Sequence, residues 1–319
     1  MSSILAPVSA ATYRNGHQDW YGAVEIDAET GEEIWRFDAP GAGFDTAEIY
    51  RQGNSLRHTG FDPASVQRLA DGRTLIADWD QGVIVDEDGD VHRTFTHDLL
   101  NDTHEIRRTD AGTYLIASTG MDTLVLLDED FEEMWRWHMW EHVDPTTRPG
   151  EYYPNSVWFR NPKHVPYSPD DRYHLNYATV RDGTLSGSGG PQFLCSALNY
   201  GVFVVDFETD EIVSEFRNLD ECHNPYQLSE GYLVPESGQD RVVAIDEDGR
   251  HETIFEGGLD FVKDADPIGG TDEWLLTDTK NSRILRWAWG EPEPHAEFFL
   301  GEETFPYEAD YLKRADTLA

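Results

Sequence analysis

Short apolar runs alternate with acidic turns along this chain, and one such unit recurs six times. Each copy has a run rich in Val, Ile or Leu, a turn built from Asp, Gly, Glu or Asn, and a second β-rich run, as in GAVEIDAETGEEIWRF at 22–37. Runs of this length and composition, separated by such turns, predict β-hairpins. The other copies lie at 82–95, 123–137, 201–216, 241–255 and 283–300.

A second pair of short strands precedes five of these hairpins, joined by a Gly-containing turn, as in HEIRRTDAGTYLIAS at 104–118. Four strands in each of six units predict an all-β fold, a six-bladed β-propeller. The first hairpin lacks an upstream pair, but EADYL at 308–312 matches DADPI at 264–268. We therefore predict that N- and C-terminal strands close the ring in one blade, which removes an open sheet edge.

The chain is predicted to form a single propeller domain over residues 1–319, with an aromatic-rich insertion at 138–173. This insertion is rich in Trp, Tyr, Pro and His, and it contains His138, His142 and His164. Long connections inside compact domains are usually functional or disordered, and the aromatic density argues against disorder. We expect a lid or rim over one face of the propeller.

The charge balance excludes several classes of partner. The chain has 62 Asp and Glu against 24 Lys and Arg, a net charge of -38, which argues against nucleic-acid binding and against attraction to anionic membranes. Its apolar runs are too short to span a bilayer, and its start lacks a convincing secretory signal, so we expect a cytoplasmic protein. Acidity spread along the whole chain resembles that of halophilic proteins.

In a propeller the first strand of each blade runs beside the central channel, so equivalent positions on these strands should meet near the axis. Aligning the units by their turns, from Gly72, Gly112 and Gly231 onward, yields one set of six equivalent residues. These are Ala64, His104, His174, His223, Asp264 and Glu308. Three imidazoles and two carboxylates at one level form the sharpest chemical signal in the sequence.

Three interpretations of this cluster stay open. In the first, a divalent metal ion in the central channel is held by His104, His174, His223, Asp264 and Glu308 and acts as a Lewis acid. In the second, one of the candidate catalytic residues His104, His174 and His223 is a nucleophile or an acid–base group, and a carboxylate of Asp264 or Glu308 orients it. In the third, the polar ring is structural. Nearby candidates for substrate binding are Asn176, Asn224, Tyr226, Asp266 and His164.

The segment HEIRRTDAGTYLIASTGMDTLVLLDEDFEEMWRW at 104–137, followed by HLNYA and HNPYQLSEGYLVPES, resembles the arylsulfotransferase-like β-propellers. The resemblance covers roughly residues 60–300 and implies that a central His accepts a sulfuryl group and passes it to a phenol. His104, His174 and His223 match His-led positions of that pattern. Ala197 stands where the family places an Arg, so the chain lacks a cation expected at a sulfate site.

The sequence thus supports three hypotheses of function. The first is an arylsulfotransferase-like enzyme with group-transfer or metal-assisted chemistry at the His cluster. The second is a metal-dependent hydrolase or lyase, and the third is a non-enzymatic binding or assembly propeller. We expect a small-molecule substrate or glycan at a propeller face, with a protein partner as the alternative. No quinone or nucleotide cofactor is expected, since a single copy of the quinoprotein-like repeat is well formed.

Overall fold

The structure is a computed structural model, nearly all β, in which six sheets form a six-bladed β-propeller. It describes residues 2–12, 17–38, 64–78, 81–100, 102–143, 173–181, 190–269, 271–300, 304–306 and 308–313. The remaining residues, which include His164 and most of the 138–173 insertion, lie outside this description. The predicted lid therefore stays a prediction.

The blades are numbered from the terminal one, and their strands follow the chain. Blade 1 contains β1 (Ser2–Thr12), β2 (His17–Asp27), β3 (Glu33–Asp38), β24 (Thr304–Pro306) and β25 (Asp310–Lys313). Blade 2 contains β4 (Ser65–Arg68), β5 (Thr74–Asp78), β6 (Gln81–Val85) and β7 (Val91–Phe95). Blade 3 contains β8 (Thr103–Arg108), β9 (Tyr114–Ser118), β10 (Thr123–Leu127) and β11 (Glu133–His138).

Blades 4 to 6 repeat this arrangement. Blade 4 contains β12 (Leu175–Val180), β13 (Gln192–Ala197), β14 (Gly201–Asp206) and β15 (Ile212–Phe216). Blade 5 contains β16 (Tyr226–Gln227), β17 (Tyr232–Glu236), β18 (Arg241–Ile245) and β19 (His251–Glu256). Blade 6 contains β20 (Val262–Pro267), β21 (Glu273–Asp278), β22 (Arg283–Ala288) and β23 (Ala296–Phe299). A short helix α1 (Met139–His142) follows β11, and 3-10 turns occupy Thr119–Met121, Ser237–Gln239 and Thr279–Asn281.

The predicted closure of the ring by both termini is confirmed. In blade 1 the strand β1 pairs on one side with β2 and on the other with the C-terminal strands, through Val8 opposite Pro306 and Leu5 opposite Asp310. The innermost strand of this blade is therefore supplied by the C-terminal part of the chain. Residues Glu308 and Asp310 reach the axis in this way.

The hydrophobic core lies between neighbouring blades. The second strands β5, β9 and β17 are buried along their whole length, because a sheet packed on both faces needs apolar residues at successive positions. Both cysteines, Cys195 and Cys222, are fully buried and unpaired. They pack as small apolar residues of the core.

A hydroxyl at the first residue of each 3-10 turn joins one blade to the next. Thr119 Oγ1 donates to the carbonyl of Leu175 at 2.7 Å, and Thr279 Oγ1 donates to the carbonyl of Pro306 at 2.9 Å. Ser237 Oγ donates in the same way to the carbonyl of Val262. Leu175 and Val262 begin the inner strands of blades 4 and 6, and Pro306 ends β24 in blade 1, so these bonds fix neighbouring blades relative to each other.

Replacing Thr119 by Val, which keeps the shape and removes the donor, should lower the free energy of unfolding by about 1–3 kcal/mol, because the buried carbonyl of Leu175 loses its partner. Urea denaturation measures this loss. Thr94→Val, on the exposed face of β7, is the matched control and should change stability by less than about 0.5 kcal/mol. Equal effects of the two substitutions would show that the turn hydroxyl does not join the blades.

Among the described residues, no helix has the length and apolar character needed to cross a membrane.

Candidate functional site

The axial positions of the inner strands can be aligned by their partners on the second strands. Thr103 pairs with Ser118, Leu175 with Ala197, and Val262 with Asp278, and in each blade the pairing shifts by one residue directly afterwards. Cys222 makes the corresponding bridge to Glu236 in blade 5. The residue after each of these positions is therefore equivalent in all four blades, and in three of them it is the extra residue of a β-bulge.

This alignment defines four levels along the axis. The first level contains Asp102, His174, Glu221 and Phe261, all with positive φ. The second level contains Ala64, His104, Asn176, His223 and Lys263. The third level contains Ser65, Glu105, Tyr177, Asn224, Asp264 and Glu308. The fourth level contains Gln67, Arg107, Thr179, Tyr226, Asp266 and Asp310.

The structure distributes the predicted axial residues over three of these levels. His104 and His223 share the second level, whereas His174 lies two positions earlier on its strand and Asp264 one position later. His174 is nevertheless close to His104, with ring centroids 5.0 Å apart in an edge-to-face arrangement. His223 lies close enough to His174 and His104 for their charges to lower its pKa, so the three imidazoles form one cluster. The carboxylates Asp264 and Glu308 belong to a separate one.

The hydrogen bonds of His223 define its tautomer. Its Nδ1 lies 2.7 Å from Oγ of Ser237 and 3.0 Å from the carbonyl oxygen of Glu221. A carbonyl oxygen only accepts, and the Ser237 hydroxyl already donates to the carbonyl of Val262, so Nδ1 must carry the ring hydrogen in both contacts. The lone pair of His223 therefore sits on Nε2, the nitrogen that can take a proton or attack an electrophile.

His104 forms a pair with a carboxylate. Its Nε2 lies 3.5 Å from Oδ1 of Asp102, and the Asp102 side chain is 7% exposed. The ring of His104 is 20% exposed, so it is accessible from the channel while its partner is not. A buried carboxylate beside an imidazole orients the ring and stabilises its protonated form.

Burial makes these imidazoles neutral at physiological pH. It lowers the pKa of His104, an effect that the Asp102 carboxylate offsets in part. Burial also lowers the pKa of His223 well below its ordinary value, and the nearby positive charge of Lys263 lowers it further. Because the ordinary pKa of His is 6.5, both rings are free bases at pH 7.

The third level closes the inner edges of the blades. Asp264 Oδ2 accepts the backbone N–H of Ala309 at 3.0 Å, and Ser65 Oγ accepts that of Ile106 at 3.1 Å. Glu308 Oε1 accepts the backbone N–H of Val66 in the same way. Inner strands have no further strand to pair with, so their N–H groups need such acceptors. Asp264 and Glu308 thus bind the backbone of the next blade.

One guanidinium lies at the centre of the acidic cluster. Arg107 Nε is 3.0 Å from Glu105 Oε1, its Nη2 is 3.2 Å from Glu308 Oε2, and its Nη1 is 3.8 Å from Asp310 Oδ1. The Nε contact is close but off-angle, so neither Arg107 Nε nor Glu105 Oε1 has a hydrogen bond of good geometry. The guanidinium also lies over the ring of Tyr177, 5.6 Å from its centroid.

Burial raises the pKa of five axial carboxyl groups, and the guanidinium of Arg107 offsets this increase only in part. Burial raises the pKa of Glu105 to about 7, partly offset by Arg107, and raises that of Asp264 to about 6. Burial also raises the pKa of Asp266 and Glu308 well above the ordinary values and raises that of Asp310. Neighbouring carboxylates add to the increase in Asp266 and Glu308, since like charges disfavour ionisation.

These pKa changes predict a stability maximum in pH. The folded protein keeps protons that the unfolded chain releases, so stability falls as pH rises from 4.5, the ordinary pKa of Glu, through about 7. Below 6.5 the neutral histidines act in the opposite direction, because the unfolded chain binds protons that His104 and His223 exclude. Thermal denaturation should therefore show Tm falling from pH 6.5 to about pH 8. Glu105→Gln should flatten that slope; an unchanged slope would contradict the assignment.

The predicted metal site is not assembled by the residues that the structure describes. Within them, no three His, Cys, Asp or Glu side chains are placed to hold one metal ion together. Asp264 and Glu308 instead bind backbone N–H groups, and Glu308 also pairs with Arg107. A divalent ion at His104, His174 and His223 stays a prediction.

The four predicted substrate-binding residues that the structure describes occupy three axial levels. Asn176 shares the second level with His104 and His223 but is 2% exposed and bonds to the Ser196 hydroxyl and the Cys222 carbonyl, so it packs between blades. Asn224 belongs to the third level, and Tyr226 and Asp266 to the fourth.

Sequence reasoning missed several charged residues of the axis, among them Asp102 and Asp310 as well as Lys263, Glu105 and Arg107. Lys263 is one residue before Asp264, and Glu105 and Arg107 follow His104 on the same strand. Strand alternation could have revealed them. Residues two apart on a strand point to the same side, so Asp264 and Asp266 together imply a second axial level. The same spacing on β8 selects Glu105 and Arg107.

No family model and no curated protein sequence matches the chain. Among solved structures it is similar to a protein of unknown function from Bacteroides caccae, with TM-score 0.64, 11% identity, and coverage of 98% of this chain and 99% of that one. A nidogen/laminin complex gives TM-score 0.61, 11% identity, and coverage of 97% and 98%. Catalytically inactive virginiamycin B lyase from Staphylococcus aureus with quinupristin gives TM-score 0.55, 9% identity, and coverage of 93% and 85%. At these identities the similarity establishes the propeller fold and nothing finer.

Proposed function

We propose that this propeller is an enzyme that abstracts a proton from a small substrate at its axis, with His223 as the base. The observation that carries the proposal is the tautomer of His223, whose Nδ1–H is held by Glu221 and Ser237. Its Nε2 then has a lone pair at neutral pH. A base held in one tautomer, with its pKa lowered by burial, is suited to take a proton without prior deprotonation.

The reaction class that fits best is elimination or a related lyase reaction. His223 Nε2 takes a proton from a C–H bond, and the electron pair of that bond stays on carbon. The pair then expels a leaving group from the adjacent carbon, forming a double bond, and the leaving group departs with its own bonding electrons. The leaving group takes a proton from water, and the hydroxide that forms takes the proton from His223 Nε2, which restores the neutral base. His104, paired with Asp102, can relay these protons. A lyase among the similar folds is compatible with this class.

Sulfuryl transfer is the second candidate, because the same Nε2 could act as a nucleophile. It has support from Lys263, which lies close enough to His223 to lower the pKa of that ring and could stabilise a sulfate oxygen. Arg107 is engaged by Glu105, Glu308 and Asp310, so it offers no guanidinium to a sulfate. The arylsulfotransferase-like activity, a bound metal, a binding-platform role, a halophilic source and a cytoplasmic location all remain proposals from the sequence.

Proton abstraction can be tested without knowing the full reaction. The protein is incubated in D2O with a panel of small carbon acids, and deuterium incorporation is followed by mass spectrometry. We expect exchange at an activated C–H position with wild-type protein, and loss of exchange in His223→Gln. A parallel assay with aryl sulfates and phenol acceptors tests sulfuryl transfer. Exchange that persists in His223→Gln would refute the assignment of the base, and turnover of aryl sulfate without any exchange would favour the second candidate.

A further inference from the structure

We propose that the fourth axial level, at the end of the channel away from the imidazoles, binds the primary ammonium group of an organic amine. The proposal goes beyond the proposed function, because the imidazole cluster takes no part in it. All six residues of this level surround the axis and are half-buried, whereas five of the six third-level residues behind them are buried. The accessible parts of the fourth level therefore face one opening of the central channel. The six are Gln67, Arg107, Thr179, Tyr226, Asp266 and Asp310.

The charge of the third and fourth levels selects a cation. Five carboxyl groups lie at these two levels, and the guanidinium of Arg107 is the single positive charge among the described residues there. When all five are ionised, five negative charges and one positive charge leave a net charge of -4. A bound cation reduces the repulsion among them, whereas an anion increases it. The five groups belong to Glu105, Asp264, Asp266, Glu308 and Asp310.

Asp266 keeps its carboxyl oxygens available for a ligand. Among the described residues its side chain has neither a hydrogen bond nor an ion pair, and it interacts with its neighbours through their charges alone. The guanidinium of Arg107 contacts three other carboxylates, and Asp264 accepts the backbone N–H of Ala309. Asp266 is half-buried, so its carboxyl group can be reached from the opening of the channel.

The hydroxyl of Tyr177 is a second group whose hydrogen bonding is incomplete. Tyr177 is 7% exposed, and within the described ranges its hydroxyl makes no hydrogen bond. The Arg107 guanidinium lies 5.6 Å from the centroid of its ring. Burial raises the pKa of the hydroxyl well above its ordinary value, and the charges of Glu105, Asp264 and Asp266 add to the increase, so the hydroxyl faces the acidic cluster. A buried polar group without a partner indicates a bound ligand or an ordered water.

A primary ammonium group matches this set of acceptors. It carries three N–H donors and no acceptor, and the Asp266 carboxylate and the Tyr177 hydroxyl oxygen can each accept one of them. Glu105 Oε1, which is buried and has no hydrogen bond of good geometry, is a third acceptor in the same cluster. A metal ion needs several ligands around one point, and no three His, Cys, Asp or Glu side chains of the described residues are placed in that way. The acceptors therefore favour an amine over a metal ion.

The test compares n-butylammonium with 1-butanol, a neutral analogue of similar size, by isothermal titration calorimetry at constant ionic strength. The titrations are made at about pH 8, where more of the axial carboxyl groups are ionised than at neutral pH. Wild-type protein should bind butylammonium at least about tenfold more tightly than butanol, and Asp266→Asn should weaken that binding about tenfold. Tyr177→Phe should weaken it about three- to tenfold. Asp272→Asn, which removes an exposed carboxylate from the same blade, is the matched control and should bind like wild type.

Both axial substitutions should leave the fold intact, because neither group has a hydrogen-bond partner to lose among the described residues; the urea midpoint checks this. No binding of butylammonium, equal affinity for the two probes, or equal loss in Asp266→Asn and Asp272→Asn would overturn the ammonium site. Tetramethylammonium has the charge without N–H donors and should bind about tenfold less tightly than butylammonium; tighter binding would refute recognition by hydrogen bonds. His223→Gln should bind butylammonium like wild type, and a loss there would place the amine at the imidazoles instead.

Discussion

Arg107→Met should destabilise the protein by about 3–5 kcal/mol at pH 8, because it leaves several buried carboxyl groups without a counter-charge. Three carboxylates contact this guanidinium within 3.8 Å, from Glu105, Glu308 and Asp310. They come from blades 1 and 3, so the loss should affect closure of the ring. Urea denaturation gives the change in the free energy of unfolding. Arg250→Met, with a side chain that is 78% exposed, should change stability by less than about 0.5 kcal/mol.

The pH dependence of this effect distinguishes an electrostatic role from packing. At pH 5 the axial carboxyl groups with raised pKa are largely protonated. Removing Arg107 should therefore cause less repulsion among them than at pH 8. The destabilisation by Arg107→Met should therefore shrink on going from pH 8 to pH 5. If the variant does not fold at pH 8, refolding at pH 5 gives the same information. An equal loss at both pH values, or a loss below about 1 kcal/mol at pH 8, would contradict the assigned role.

His223→Gln should reduce the rate of proton abstraction by roughly 10²–10⁴-fold, the usual contribution of a general base. Gln keeps a polar side chain of similar length and cannot take the proton at neutral pH. Folding should be retained, as judged by a free energy of unfolding that stays within about 1 kcal/mol of the wild-type value. His251→Gln, on the exposed strand β19, is the control and should leave the rate unchanged.

The pH profile of the wild-type reaction provides a second readout for His223. Because burial and Lys263 lower the pKa of this ring well below 6.5, kcat/KM should stay constant on lowering pH through 6.5 and decline only at lower pH. A decline centred at or above 6.5 would show that another group is the base. Lys263→Met should move the acid limb to higher pH, since a nearby positive charge is removed.

The blade pattern was predictable because strand periodicity and turn composition repeat along the chain. The hairpin at 123–137, for example, contains the predicted pair β10 and β11, and the match of 308–312 to 264–268 identified the closing strand. Counting back from Gly72, Gly112 and Gly231 relates Ala64, His104 and His223, and the strand pairing of the structure relates the same three residues. Equal turn lengths in these blades make the count reliable.

The axial alignment of the other blades was not predictable by counting. In blade 4 the segment between the turn and the axis differs in length, so Asn176 takes the level where His174 was expected. In blade 6 the count is off by one residue, and Lys263 takes the level expected for Asp264. The turn between the paired residues Pro267 and Trp274 is one residue longer than the turn between Arg108 and Tyr114, which accounts for the error in blade 6. His174 nevertheless contacts His104, with the ring centroids 5.0 Å apart, and its backbone has a left-handed conformation.

The central claim is that His223 is a neutral base whose lone pair is on Nε2. NMR spectroscopy of protein with ¹⁵N-labelled histidine, compared with His223→Gln for assignment, measures this directly. The account predicts a protonated Nδ1 and an unprotonated Nε2 for His223 at pH 7, with no titration of the ring until well below pH 6.5. A hydrogen on Nε2, or titration at or above pH 6.5, would contradict it.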